Sequence, residues 1–225
     1  MWTRACIFDL DGVIVDTAKY HFLSWKRLTD DLGIIFTENN NERLKGVSRM
    51  ASLDIILEIG NKKLTVSEKK ELADLKNKWY VERIARMTPQ EILPGVLKFI
   101  NELKSNKIKI ALGSASRNTP LILDRVGLNN IFDAVADGNI VNKAKPDPEV
   151  FLKAAGLIGV ETGRCVVFED ALAGVEAALN AGMICIGIGD KSILKDAHLV
   201  VRGLYEMDLN KLISLEKNLG YEQLI

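Results

Sequence analysis

Two carboxylates, Asp9 and Asp11, stand two residues apart where a short apolar run gives out, in Ala5-Cys6-Ile7-Phe8-Asp9-Leu10-Asp11-Gly12-Val13. Such a run, closed by a glycine, reads as a buried strand, and the strand period of two sends both acid side chains the same way. One carboxylate can then attack while the other moves protons. Asp and Gly are also common turn residues, so this string alone leaves a plain turn as good a reading. Three further clusters shift the balance. Gly113-Ser114-Ala115-Ser116-Arg117-Asn118 follows an apolar run and opens a helical pattern, so hydroxyls and free backbone N–H groups meet at a positive helix end, where phosphate binds well. Lys145-Pro146-Asp147-Pro148-Glu149 sets one cation in a stretch stiffened by prolines, and Glu169-Asp170 closes another apolar run. Singly, each has a bland reading: Ser114 as a helix cap, Lys145 as a solvated charge, Glu169 and Asp170 as N-cap residues for a helix starting at Ala171. Four clusters in series, each just after a strand-like run, point to one site.

The elements that position them follow from periodicity. From residue 95 onward helices at 95–105, 119–126, 148–156 and 171–181 alternate with strands at 108–113, 132–136, 165–169 and 183–188, which predicts parallel strands joined by right-handed crossovers. A short apolar run, His198-Leu199-Val200-Val201, and a final helix complete the chain. Between the first strand and this alternation lies a helical block. It comprises 17–32, with Asp16 as N-cap and Gly33 just past its end, then 42–59 and 67–87. The expected fold is therefore α/β, a doubly wound Rossmann-like parallel sheet (residues 1–15 and 90–225) with an inserted helical domain (16–89). Ligands of such sheets bind at the carboxyl ends of the strands. Asp9, Asp11, Ser114, Lys145, Glu169 and Asp170 would share that crevice, and their four carboxylates would repel one another unless a hard cation such as magnesium sat among them.

Composition narrows the function classes. The chain has 225 residues, 48% of them hydrophobic, enough for a packed core. Thirty basic residues balance thirty acidic ones, which argues against nucleic acid or an anionic membrane as partner. Cys6, Cys165 and Cys185 are odd in number and scattered through apolar runs, so they suggest buried thiols in a reducing cytosol, not disulfides or zinc. No leader pattern and no apolar run approaching roughly 18 residues is present, and the chain reads as cytoplasmic.

With these motifs in place the chain resembles the haloacid dehalogenase superfamily, whose four motifs it carries as Asp9-Leu10-Asp11-Gly12-Val13, Ser114, Lys145 and Glu169-Asp170. Within it the helical insert is similar to that of the β-phosphoglucomutase family, through Asp16-Thr17-Ala18-Lys19-Tyr20-His21-Phe22, Trp25-Lys26, Leu44-Lys45-Gly46-Val47-Ser48-Arg49, Ser52, Lys76-Asn77 and Tyr80-Val81. The resemblance implies Asp9 as the nucleophile that becomes an aspartyl phosphate and Asp11 as general acid and base. It implies magnesium held by Asp9, the Asp11 carbonyl, Glu169 and Asp170, and Ser114 and Lys145 on the transferring phosphoryl group. Arg49, Ser116, Arg117 and Asn118 would grip the other phosphate. His21, Trp25, Lys45, Gly46, Val47, Ser52, Lys76 and Ala115 would line the substrate pocket. Read without the resemblance, His21 and Trp25 would be core residues, and Lys45, Arg49 and Lys76 solvated helix charges. His198 is assigned to structure. Three positions depart from the family pattern: Arg117 where Lys is usual, Ala171 where Ser is common, and Gly113 in place of Ala, a change expected to matter little. The implied activity is conversion of β-glucose 1-phosphate to glucose 6-phosphate by a monomer, through a bisphosphorylated intermediate. A sugar-phosphate phosphatase and a non-catalytic phosphosugar-binding protein are the alternatives.

Overall fold

Ala5, Cys6, Ile7 and Phe8 are fully buried because they form β1 (Ala5–Phe8), the strand from which the sheet grows both ways. The computed structural model describes residues 1–221. Beyond β1 come β2 (Lys109–Gly113), β3 (Ala134–Ala136), β4 (Cys165–Glu169), β5 (Ile184–Ile188) and β6 (Leu199–Val201). They make one six-stranded sheet in the order β3-β2-β1-β4-β5-β6, with every neighbouring pair parallel. Phe8 stands opposite both Leu112 and Phe168, so Asp9 emerges level with Gly113 and Glu169 at the carboxyl edge. This is the point at which the strand order reverses, where doubly wound sheets bind ligands.

The crossover helices are α5 (Val96–Ser105), α6 (Thr119–Val126), α7 (Glu149–Ile158) and α8 (Leu172–Asn180), and α9 (Leu209–Asn218) closes the described chain. One face of the sheet packs an aromatic knot, with Phe8 stacked on Phe168 and both edge-on to Phe99 of α5. The other face meets Ala154 and Ala155 of α7 and Ala177 and Ala178 of α8, small side chains that let the helices approach closely. The helical insert has α1 (Ala18–Asp31), α2 (Glu38–Glu42), α3 (Arg49–Ile59) and α4 (Val66–Ile84). These bury a cluster of their own around Trp25, Leu28, Phe36, Leu53, Ile56 and Trp79.

Two helix readings need correction. Residues 42–59 are not one helix: the chain turns at 43–48, where Gly46 takes φ +73°, and α3 restarts with the Ser48 hydroxyl accepting from the Ala51 N–H at 3.3 Å. Only a cap and a left-handed glycine break an otherwise helical composition there. The N-cap of α1 is Thr17, not Asp16, and the Thr17 hydroxyl is turned away from the helix toward Asp11. The two linkers of the insert pair with each other: Leu93 N–H donates to Ile14 O at 2.9 Å and Asp16 N–H to Glu91 O at 3.1 Å. All three cysteines are free and buried, and among the described residues no helix is long and apolar enough to cross a membrane.

Candidate active site

Asp9, 6% exposed, leaves β1 into a cluster in which one carboxylate oxygen from each of Asp9, Glu169 and Asp170 lies within 4.8 Å of the others. Lys145 spans two of the three, with Nζ 2.5 Å from Asp9 Oδ1 and 2.8 Å from Glu169 Oε2, and it rests over the Phe151 ring at 4.8 Å. Burial alone would lower the lysine's pKa, but Asp9 and Glu169 outweigh it and hold the ammonium charged. Burial pushes Glu169 up to about 7, against the pull of Lys145, and Asp170 rises well above the carboxylate range through burial and its neighbours Glu169 and Asp9. Crowded, buried, all-oxygen donors of this kind fit a hard divalent cation, which would relieve the repulsion they share.

Glycines shape this corner. Gly12 takes φ +80°, and a Cβ there would run into the Asp170 carboxylate. A Cβ at Gly174, in the first turns of α8, would occupy the space of the Glu169 carboxylate. Gly113 matters more than its conservative exchange suggests: a Cβ would stand 2.9 Å from the ring of Phe151, the side chain beneath Lys145. The partners of Gly12 and Gly113 lie far off in sequence, and that of Gly174 is brought back onto it by the turn between β4 and α8, so local spacing shows none of these.

Asp11 points into the same cavity and accepts from the Thr17 hydroxyl. Burial, then the nearby charge of Asp9, raises its pKa to about 6. A carboxyl titrating near neutrality can both give and take a proton. Sequence reasoning gives Thr17 no role of its own; its position directly after the linker is the signal that could have found it.

The cavity, about 600 Å³, opens between sheet edge and helical insert. His21, Trp25, Lys45, Gly46, Val47, Arg49, Ser52, Lys76, Ala115, Ser116, Arg117, Asn118 and Lys145 all line it, together with Asp9, Asp11 and Asp170. Ser114 and Glu169 lie fully buried behind the wall, Ser114 accepting from the Ser116 N–H at 3.1 Å. The Ser116 hydroxyl accepts in turn from the Asn118 N–H at 3.1 Å, so the loop into α6 is bound by its own side chains. Arg49 lines the same cavity as this loop and lies 3.7 Å from Asp74. Burial lowers the Arg49 pKa and Arg117 adds repulsion, against the opposing pull of Asp74. Asn118 Nδ2 donates to Asn77 Oδ1 at 3.0 Å, tying core to insert. His198 accepts from the Cys185 N–H at 3.1 Å, a structural role.

Lys76 is no solvated charge. It is 2% exposed, with Nζ 3.0 Å from His21 Nδ1 and over the rings of Trp25 and Tyr80. Burial, with repulsion from Arg49, lowers its pKa from 10.5 to about 7, and burial with Lys76 and Arg49 holds His21 well below its usual value. The imidazole beside it is therefore neutral. Between pH 7 and 10.5 the unfolded chain keeps a proton on this lysine that the folded protein has lost, so stability rises with pH across that window. Lys76→Met is expected to raise Tm at pH 7 by about 2–4 °C, an advantage that shrinks toward pH 10, while weakening anionic-ligand binding about tenfold. Scanning fluorimetry across that pH range checks it; a lower Tm would show that Lys76 holds the insert together.

Comparison with known proteins adds to this geometry. A family model for haloacid dehalogenase-like hydrolases matches residues 3–182. The chain is 44% identical over 211 residues, 93% of each partner, to the β-phosphoglucomutase of Bacillus subtilis (strain 168). It is 33% identical over 185 residues, covering 80% of this chain and 82% of the relative, to a phosphorylated carbohydrates phosphatase of Thermotoga maritima. The crystal structure of β-phosphoglucomutase from Clostridium difficile superposes with a TM-score of 0.93 at 41% identity, covering 98% of this chain and 100% of that one.

Proposed function

The chain belongs to the haloacid dehalogenase-like hydrolase family, and from that premise we propose that it is a magnesium-dependent β-phosphoglucomutase, interconverting β-glucose 1-phosphate and glucose 6-phosphate. The observation that carries the reading is a single cavity lined by two sets of anion-binding groups: Lys145 beside Asp9 at the sheet edge, and Arg49 with Ser116, Arg117 and Asn118. A molecule with a phosphate on each end of a hexose fits that polarity, and either phosphate can meet Asp9 once the intermediate turns round. We take the enzyme to work as a monomer, since one chain supplies both ends.

The Asp9 carboxylate attacks phosphorus and forms an acyl phosphate as the bond to the sugar oxygen breaks. Asp11 gives its proton to that oxygen, and later takes the proton from the sugar hydroxyl that attacks the acyl phosphate. Lys145 and Ser114 hold the phosphoryl oxygens in flight, where negative charge is spread. Asp9, Glu169 and Asp170, with the Asp11 carbonyl, would hold magnesium, which would supply charge neutralisation to the same group. The helical block over 16–89 acts as a cap that closes on its paired linkers and excludes water.

Likeness to the phosphatase of Thermotoga maritima favours a second reading, in which water takes the phosphoryl group from Asp9. One assay separates them: protein, magnesium and β-glucose 1-phosphate, primed with a little β-glucose 1,6-bisphosphate, followed for glucose 6-phosphate against free phosphate. Predominance of free phosphate would overturn the mutase reading. Arg49→Ala removes a bidentate grip on the distal phosphate, a loss of about 10²-fold for two charge-assisted hydrogen bonds. Isomerisation should fall by that factor while hydrolysis of acetyl phosphate, which has no distal phosphate, changes less than about twofold. Equal losses would mean that Arg49 supports the fold.

A further inference from the structure

Each of the three carboxylates that would hold the cation meets an ammonium, but from two different parts of the chain. Lys145 serves Asp9 and Glu169; it is 3% exposed and packed on Phe151, with no room to leave. Asp170 is met from the helical insert by Lys45, whose Nζ lies 3.8 Å from Asp170 Oδ2 and 2.9 Å from Glu42 Oε2. The turn that carries it is seated on the core: a Cβ at Gly46 would come within 3.1 Å of the Ala171 Cβ, at the start of α8. The Lys45 side chain keeps 30% of its surface exposed on a flexible stem, so it can come and go as Lys145 cannot. A second cavity of about 340 Å³ backs onto this contact and is lined by Lys45, Glu42, Asp170, Gly12 and Arg202, which leaves the ammonium space to withdraw.

We propose that Lys45 is a mobile counter-ion for Asp170, so that seating of the 43–48 turn on the core and loading of the divalent cation oppose each other until an anionic substrate arrives. The inference rests on the magnesium-dependent reading above. A doubly charged ion and an ammonium sharing one carboxylate repel, and even at the dielectric of water this changes a dissociation constant about tenfold. Linkage makes the effect reciprocal: the cation loosens the turn by the factor by which the seated turn weakens the cation. Substrate phosphate between them supplies the negative charge that lets both stay. Lys45 thus orders events, with the cation entering while the insert is open and the insert closing on the substrate.

Calorimetric titration of magnesium into the full chain at low ionic strength tests this without reference to turnover. Lys45→Met is expected to bind magnesium about tenfold more tightly than the wild type, and Lys45→Arg, which keeps the charge, within about twofold of it. Half-molar salt should narrow the gap, since the contact is partly exposed. In the wild type, magnesium should speed amide hydrogen exchange over 43–48. Equal or weaker magnesium binding by Lys45→Met, checked against Lys45→Gln in case the first folds poorly, would overturn the proposal and leave the mutase reading standing. Absence of binding in the wild type would overturn the magnesium reading and this one with it.

Discussion

Asp9→Asn is expected to leave a folded protein with no measurable turnover, a loss on the order of 10³-fold or more in kcat, since removing a nucleophile removes the covalent route itself. The amide matches the carboxylate in shape, so the 6% of Asp9 that is exposed and the packing around it are unchanged. Lys145 keeps Glu169 at 2.8 Å, and the crowd of buried carboxylates loses one source of repulsion. Stability should therefore hold while chemistry fails. Acid quench after exposure to labelled bisphosphate would trap an acyl phosphate on the wild type and none on the mutant. Retention of a tenth of wild-type activity would remove Asp9 from the nucleophile's role.

Asp11→Asn should cut kcat by roughly 10²- to 10⁴-fold, the range for loss of a general acid or base, while magnesium affinity changes only a few-fold. The split follows from geometry. The clustered carboxylates are those of Asp9, Glu169 and Asp170, whereas that of Asp11 is held by the Thr17 hydroxyl. Its pKa, raised to about 6 by burial and then by Asp9, suits a group that must change protonation in each half of the cycle. Calorimetry showing magnesium binding abolished in this mutant would assign the side chain to the metal instead.

Much of the sheet was legible from the chain because buried parallel strands are apolar throughout and end where chemistry begins. Cys165-Val166-Val167-Phe168 and Ile110-Ala111-Leu112 carry that signal, and the clusters after them needed only the sheet's parallel order to meet. The insert was less legible. Its lysines look alike in sequence, yet Lys76 is sealed beneath Trp25 and Tyr80 while Lys45 reaches the core, and only tertiary packing distinguishes them. The break at 43–48 was hidden because Leu44 and Lys45, good helix formers, run straight into a single decisive backbone angle at Gly46. Gly113, Gly12 and Gly174 were opaque for a related reason: what excludes a Cβ is a ring or a carboxylate contributed by another element of the fold.

The paired linkers have a consequence for how such a molecule can change over generations. Since Ile14 and Leu93 are hydrogen-bonded neighbours, the excursion of some seventy-odd residues between them starts and finishes at one spot on the sheet. Closing a chain whose ends already touch costs little more for a long segment than for a short one, because the entropy grows only with the logarithm of length. A different set of helices could be grafted at this doorway without disturbing a single strand register. The catalytic carboxylates would be inherited intact while the choice of substrate is rewritten above them.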